Sequence, residues 1–435
     1  MRKVIVALGL ASSLLGKIAY SQDPAPSPQL SSSRKIISSE TLSQAPTATP
    51  NQTSGPLAPP AGNPFVEPFF APPGPIATPV DSQSVAVSPP LPVKTERLFT
   101  YADFYYAGGQ GTLVPPLITQ SPAGTTIGVA GAFASPNTTV LYGNQQMMKA
   151  LRPGFRAGGG FWIDNESRFG VDGNIMGLAD QTDKFLTTVS NGGPIVARPV
   201  VNGLTNTNIG IPIGNTLPAT ITSQVDTSYW GADLNFRLNI RRYDIARLDL
   251  IAGYRYAQLN DAVNVNASLV QQVTIPAIGN AAPISFSGGI PQQDLFSTKN
   301  QFYGGQIGLA GTVRIFDQVT LSGRGTVALG ATVSDVFLSG TAAYGGTGLL
   351  VQSSNLGRYS SQDFAVMPEV NTKIGFEPTE RLRLNVGYTW TYWSLVRRAA
   401  DQIDLTVLAA ARPNYPSATT DYWIQGWTLG AEWRW

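Results

Sequence analysis

The last fifteen residues, Asp421-Tyr-Trp-Ile-Gln-Gly-Trp-Thr-Leu-Gly-Ala-Glu-Trp-Arg-Trp435, decide the fold class that we expect for this chain. Read with a period of two, one face carries four tryptophans, a leucine and an alanine, and the other carries mostly small or polar residues. A transmembrane β-barrel needs this pattern, with an apolar outside, a polar lumen and aromatic residues at both membrane interfaces. An ordinary amphipathic edge strand that happens to end the chain is the alternative.

Four positions in this strand also resemble the C-terminal assembly signal of bacterial outer-membrane proteins. That signal has the spacing polar-x-Gly-x-x-aromatic-x-aromatic, and its last aromatic residue ends the chain. The matching residues are Thr428, Gly430, Trp433 and Trp435. The resemblance implies that the outer-membrane insertion machinery is a partner during assembly.

The N-terminus has the features of a secretory signal peptide over residues 1–21. Two basic residues precede an apolar stretch over residues 4–15, and Ala19-Tyr20-Ser21 offers small residues for cleavage. The apolar stretch is too short for a spanning helix, and no later segment reaches about 18 uninterrupted apolar residues. We therefore expect an exported protein that would cross a membrane with strands.

The composition excludes several classes of function. The chain has 435 residues, a formal net charge of +2, no cysteine and no histidine. Lack of cysteine removes disulfides and thiolate metal sites, and lack of histidine removes the commonest general base near neutral pH. A net charge near zero gives no electrostatic case for nucleic acid. We expect no cofactor, no metal and no nucleic-acid partner.

The rest of the chain divides into two parts. Residues 22–95 are rich in Pro, Ser and Ala, a composition that buries no core, and they are predicted to form a disordered periplasmic segment. A tether or spacer is the favoured role for this segment, and docking to the cell wall or to a partner is the alternative. Residues 96–435 are predicted to form the barrel.

Ten segments with period-two alternation follow one another in the predicted barrel region, joined by long and short connections in strict alternation. They cover residues 98–107, 154–163, 169–175, 229–240, 248–256, 303–315, 319–333, 364–376, 382–392 and 421–435. The pattern predicts an all-β, antiparallel, up-and-down transmembrane β-barrel of about ten strands. Twelve strands are possible if a further hairpin lies in 138–150 or 260–290.

The alternation also predicts an orientation. If the C-terminus is periplasmic, every short turn lies in the periplasm and the long connections, including 179–225 and 258–300, are extracellular loops. Aromatic pairs such as Tyr229-Trp230 then lie at the outer leaflet. A soluble all-β protein is disfavoured, because the chain offers no helices to cover one continuous apolar sheet face.

Residues 98–178 resemble the large β-barrel outer-membrane protein family of planctomycete-type bacteria. The pieces that carry the resemblance are Phe104-Tyr-Tyr-Ala-Gly-Gly, Val114-Pro-Pro-Leu-Ile-Thr, Asn137-Thr-Thr-Val-Leu-Tyr-Gly143, Pro153-Gly-Phe-Arg, Gly160-Phe-Trp-Ile-Asp164 and Phe169-Gly-Val-Asp-Gly-Asn174. The resemblance implies an outer-membrane β-barrel and no established activity. The first strand departs from the family pattern in being rich in Tyr rather than Trp.

Charged residues on the polar faces of the predicted strands are expected to line the lumen. They are Arg168, Asp172, Asp233, Arg237, Asp249, Arg255, Arg324, Glu369, Lys373, Arg383, Glu432 and Arg434. Two of the carboxylates could in principle serve glycoside hydrolysis. Because the carboxylates alternate with arginines, ion pairing inside a narrow barrel is the favoured interpretation, and we predict no catalytic residue.

Two functions agree with these expectations. The first is a structural or surface-interaction role, in which a barrel anchored in outer-membrane lipid presents long extracellular loops. The second is a narrow pore for small solutes or ions. A barrel of about eight strands is just filled by side chains and one of roughly 16–18 leaves a channel, so a barrel of about ten strands would leave at most a narrow passage. The sequence predicts no oligomeric state and no ligand.

Overall fold

Residues 97–213, 218–275 and 284–435 are described by the computed structural model of this protein. The predicted signal peptide (1–21) and the Pro-rich segment (22–95) lie outside the described residues. Among the described residues, no helix is both long enough and apolar enough to cross a membrane.

Strands account for most of the described chain. In chain order they are β1 (Leu98–Gly109), β2 (Thr112–Val114), β3 (Ile118–Ser121), β4 (Thr139–Tyr142), β5 (Gln145–Met147), β6 (Arg152–Trp162), β7 (Phe169–Val189), β8 (Ile195–Asn202), β9 (Thr207–Pro212), β10 (Ala219–Arg242), β11 (Ala246–Ile275), β12 (Ile284–Phe316), β13 (Val319–Ala342), β14 (Gly357–Phe376), β15 (Leu382–Val396), β16 (Thr406–Val407) and β17 (Thr420–Arg434). Two short 3-10 turns, Ala343–Gly345 and Ala400–Gln402, lie in the connections.

Ten of these strands form one closed antiparallel barrel, in the order β1-β17-β15-β14-β13-β12-β11-β10-β7-β6. The C-terminal strand β17 pairs with β15 on one side and with β1 on the other, so the last strand closes the barrel onto the first. The predicted fold class and the count of ten strands are confirmed. Among the described residues a barrel of twelve strands is excluded, because β4 and β5 pair with loop strands, residues 260–275 belong to β11 and residues 284–290 belong to β12.

The two ends of the barrel differ. At the short-turn end, β10 and β11 are joined by residues 243–245, and β12 and β13 by residues 317–318. At the long-loop end, the connections between β1 and β6, β7 and β10, and β15 and β17 carry β2 to β5, β8 and β9, and β16 respectively. One rim of the barrel is therefore formed by short turns, and the other carries long loops that contain their own strands.

The strands at the long-loop end are much longer than the sequence predicted. Parts of the predicted loops 179–225 and 258–300 are strand, since residues 179–189 belong to β7, 219–225 to β10, 258–275 to β11 and 284–300 to β12. β11 and β12 stay paired from the Ala246–Val313 pair out to Ile275–Ile284. A barrel strand needs about 9–11 residues to cross a bilayer, and β11 has 30. The barrel wall therefore continues well beyond the length that a membrane requires.

The polarity of the wall inverts where this extension begins. In β10, even-numbered side chains face outward throughout; Leu234 and Phe236 are exposed apolar residues, but Thr222 and Gln224 are polar. The odd-numbered side chains face inward, where Asn235 is followed, toward the long-loop end, by apolar residues such as Val225. A wall whose outer surface is apolar suits contact with lipid. A wall whose outer surface is polar and whose inner surface is apolar suits contact with water. The apolar outer surface around residues such as Leu234 and Phe236 is called the apolar belt below, and the inversion marks the level at which the barrel extends beyond it.

Candidate functional site

The barrel lumen near the short-turn end holds a network of charged side chains. Eleven of the twelve residues predicted to line the lumen lie on barrel strands and take part in ion pairs there. Residues on neighbouring strands are brought together by register, and residues on opposite walls by the small diameter of a ten-strand barrel.

Arg168 is the exception and corrects the sequence prediction. It lies in the turn before β7, its side chain is 66% exposed, and it pairs with Glu166, which is 65% exposed. The turn is organised by Asp164, whose carboxylate accepts hydrogen bonds from the backbone N–H groups of Arg168 and Phe169. The alternation of β7 begins only at Phe169, so the prediction that Arg168 belongs to the inward face of this strand was wrong.

Glu369 on β14 forms the central contact of the network. It pairs with Arg156 on β6, on the opposite wall, and with Arg255 on β11 at 3.0 Å. The side chains of all three residues are at most 7% exposed. Because β6 and β11 lie on different sides of β14, this contact spans the lumen in two directions.

Two aspartates form a second set of cross-lumen contacts. Asp172 on β7 pairs with Arg237 and with Arg324, which lies across the lumen on β13. Arg324 also reaches Asp233 on β10, at 3.1 Å. Asn235 donates to both carboxylates, so the acids are held by hydrogen bonds as well as by charge.

The network continues to the short-turn rim. Glu377 accepts from Arg383 and Arg434, at 2.5 and 3.2 Å. Lys373 donates to Asp103 on β1 at 2.5 Å, and a methyl group at Gly430 would overlap the Asp103 carboxylate. Glycine in the predicted assembly signal thus leaves room for an ion pair inside the barrel.

Three residues of this ion-pair network, Asp103, Arg156 and Glu377, were not among the lumen residues predicted from the sequence. Asp103 and Arg156 lie on the inward face of their strands, and the alternation around them would have shown this. In β1 aromatic residues occupy both faces, with Tyr105 inward and Phe104 and Tyr106 outward, so the alternation of polarity is weak there. Glu377 follows β14 in a turn, where strand alternation gives no information.

An apolar layer fills the lumen beyond the charged network, toward the long-loop end. It contains Tyr105, Leu259, Phe302, Met367 and Trp393, each at most 2% exposed and each on a different barrel strand. The ring centroids of Phe302 and Trp393 lie 6.1 Å apart, and Trp393 donates to Thr332 at 2.8 Å. The buried cluster to which these residues belong draws side chains from nine of the ten barrel strands.

A cap closes the extension above the apolar layer; we use this word for the loop sheet of β16, β8, β3, β4 and β9 with the connections around it. Apolar residues of the cap, such as Ile118 and Val200, share one buried cluster with Val263 and Phe296 on the inner face of the barrel strands. The apolar inside of the extension is thus covered by the loops that enter it.

Two buried arginines fix the cap to the barrel. Arg198 on β8 pairs with Asp294 on β12, and the Asp294 carboxylate also accepts from the N–H groups of Leu350 and Val351. Arg398, in the connection after β15, pairs with Asp261 on β11. These charges are nearly fully buried, so each anchor is strong only while both of its partners are present.

The connection after β15 also contains an aspartate with a shifted pKa. Burial alone opposes ionisation of Asp404, but N–H groups of Asn414 and Thr406 and the guanidinium of Arg412 outweigh it, so its pKa lies below the usual value. The ionised carboxylate ties residues 404–414 together. Among the described residues, no group of three or more His, Cys, Asp or Glu side chains is arranged to hold a metal ion.

Residues 99–435 match the family model described as "Putative beta barrel porin-7 (BBP7)". The chain belongs to this family. Membership agrees with the resemblance to a planctomycete-type outer-membrane barrel family and makes the protein a transmembrane β-barrel of the outer membrane. No curated protein matches the sequence.

Several solved outer-membrane barrels are similar in structure. The outer-membrane protease OmpT of Escherichia coli has 12% identity and a TM-score of 0.40, with 78% of this chain and 97% of that chain covered. A FadL homologue of Pseudomonas aeruginosa has 10% identity and a TM-score of 0.23, with 78% and 90% covered. The toluene transporter TbuX of Ralstonia pickettii has 9% identity and a TM-score of 0.19, with 79% and 91% covered. These scores are too low to carry an argument about activity.

Proposed function

We propose that this outer-membrane barrel is a non-conducting anchor that presents the cap and its loops at the cell surface. The observation that supports the proposal is the filling of the lumen by three successive layers, which are the charged network, the apolar layer and the cap. An ion crossing the barrel would have to displace buried Trp393 and Phe302, neither more than 1% exposed. The cost of exposing such residues makes an open state rare.

The proposed orientation places the long-loop end outside the cell and both the C-terminus and the N-terminal segment in the periplasm. The outward polar face of the extension supports it, because such a wall belongs in water and long loops of bacterial barrels are extracellular. Outer-membrane lipid around the apolar belt and the insertion machinery at Thr428, Gly430, Trp433 and Trp435 are the proposed partners.

A catalytic role is not part of the proposal. The chain has no histidine, and the lumen carboxylates Asp172, Asp233 and Glu369 each pair with one or more arginines. Acids held in this way serve to satisfy buried charge rather than to donate or accept protons.

A narrow pore is the second candidate function. The family description names a porin, and water reaches the charged network, where Arg237 and Arg324 keep 18% and 14% of their side chains exposed. In this alternative, the cap and the apolar layer would have to move aside while the charged network selects among ions.

Single-channel recording in planar bilayers distinguishes the two functions. We expect no steady current from the mature chain, with heat-modifiable gel migration of the same sample proving that the barrel is folded. Steady openings in the folded protein, with an ion selectivity that changes in Arg237→Gln or Arg383→Gln, would support the pore and contradict the anchor. Arg168→Gln is the matched control, because Arg168 lies outside the lumen network.

A further inference from the structure

A cavity of about 190 Å³ lies in the lumen toward the short-turn end, within the charged network. One water molecule occupies ~30 Å³ in the liquid, so the cavity is large enough for a small organic or inorganic ion. The small side chains of Ala310 and Thr312 on β12 and of Ser322 on β13 leave this space open.

Most of the charged side chains that line this cavity are basic. Seven arginine and lysine side chains line it, against two carboxylates, Asp249 and Glu432. Other acids of the network, including Asp172 and Glu369, pair with these cations but do not line the cavity. Each of the seven basic side chains is therefore ion-paired, and most of the charged side chains that line the cavity are nevertheless basic.

Aromatic rings hold three of the cations at the cavity wall. The Arg247 guanidinium lies 3.7 Å from the ring centroid of Trp162, and Lys373 Nζ lies 5.0 Å from that of Tyr101. Arg237 lies 5.5 Å from the Phe99 ring centroid. Cations fixed on rings lose little conformational freedom when an anion binds.

We propose that this cavity binds a small oxyanion, of the phosphate, sulfate or carboxylate class. Guanidinium groups in fixed forks suit the oxygen atoms of such ions, and the half-buried position strengthens each charged hydrogen bond. The site opens at the short-turn end and needs no passage through the apolar layer. It therefore goes beyond the proposed anchor function and does not depend on it.

The test is a calorimetric titration of the folded full chain in detergent with inorganic phosphate at low ionic strength. Sulfate and succinate are titrated separately, to separate tetrahedral from carboxylate ligands, and choline serves as a cation that should not bind. We expect saturable binding of at least one oxyanion, weakened at least tenfold in Arg247→Gln and unchanged within twofold in Arg168→Gln. The tenfold figure corresponds to about 1.4 kcal/mol, the lower end for a charged hydrogen bond.

A second variant keeps the proposal testable if Arg247→Gln does not fold. Thr312→Leu fills the cavity without removing a charge and should also abolish binding. Binding that survives Thr312→Leu, equal weakening in Arg168→Gln, or no saturable binding by the folded wild type for any of the three anions would overturn the proposal.

Discussion

Replacing Glu369 with glutamine should destabilise the barrel far more than the same substitution at a surface ion pair. Glu369→Gln keeps the shape of the side chain but leaves Arg156 and Arg255 without their shared carboxylate. The Glu369 side chain is 3% exposed and the two arginines 7% and 4%, so water cannot replace the lost charge. Breaking a buried pair on one side costs about 3–5 kcal/mol.

The matched control is Glu166→Gln, which removes a pair whose side chains are both about two-thirds exposed. Such surface pairs contribute about 0–1 kcal/mol. Urea unfolding in detergent, followed by tryptophan fluorescence and gel migration, should show a midpoint lower by on the order of 1 M for Glu369→Gln and nearly unchanged for Glu166→Gln. Equal midpoints for the two variants would refute the claim that the network is a buried, mutually dependent structure.

Three further substitutions test other parts of the structure. Gly430→Ala should reduce folding yield and stability by about 1–3 kcal/mol, because the new methyl group meets buried atoms; Gly325→Ala, with no atom within 4 Å of the new methyl group, should not. Val263→Asp should destabilise the extension by more than 3 kcal/mol and Asn264→Asp by less than 0.5 kcal/mol, measured by urea unfolding, since only Val263 faces the buried cluster. The pKa of Asp404 is lowered in the folded chain, so its ionised carboxylate stabilises the 397–419 connection at neutral pH, and this stabilisation is lost as the pH falls below about 4. Limited proteolysis should therefore show this connection opening at low pH. Asp404→Asn should remove this pH dependence.

The barrel and its strand order could be predicted from the sequence because one physical rule acts on every residue of a lipid-exposed strand. Alternation in segments such as 229–240 fixes the faces, and the alternation of short and long connections fixes an up-and-down order. The inward charges could be predicted for the same reason. Positions beyond the ends of the strands, such as Arg168 and Glu377, could not, because a turn does not preserve the period of two.

The extension escaped prediction for a different reason. Residues 258–268 alternate clearly, with Val263 and Val265 alternating with Asn264 and Asn266, but apolar residues there face inward and polar ones outward. The sequence prediction assumed that barrel strands have an apolar outer face, so a segment with a polar outer face was assigned to a loop. The contacts of the cap, such as Arg198 with Asp294, join residues 96 positions apart and leave no local pattern in the sequence.

Thiol accessibility along the inner face of β13 tests the closed lumen most directly, because the native chain has no cysteine to give a background. Ser322 lines the cavity, Ala328 lies in the apolar layer, and Val336 lies beneath the cap, so Ser322→Cys, Ala328→Cys and Val336→Cys sample the three levels of one strand. With a small neutral thiol reagent on the folded protein in vesicles, we predict rapid modification at position 322 and protection at 328 and 336, both 0% exposed in the native chain. Modification at 328 as fast as at 322 would contradict a lumen closed by its own side chains.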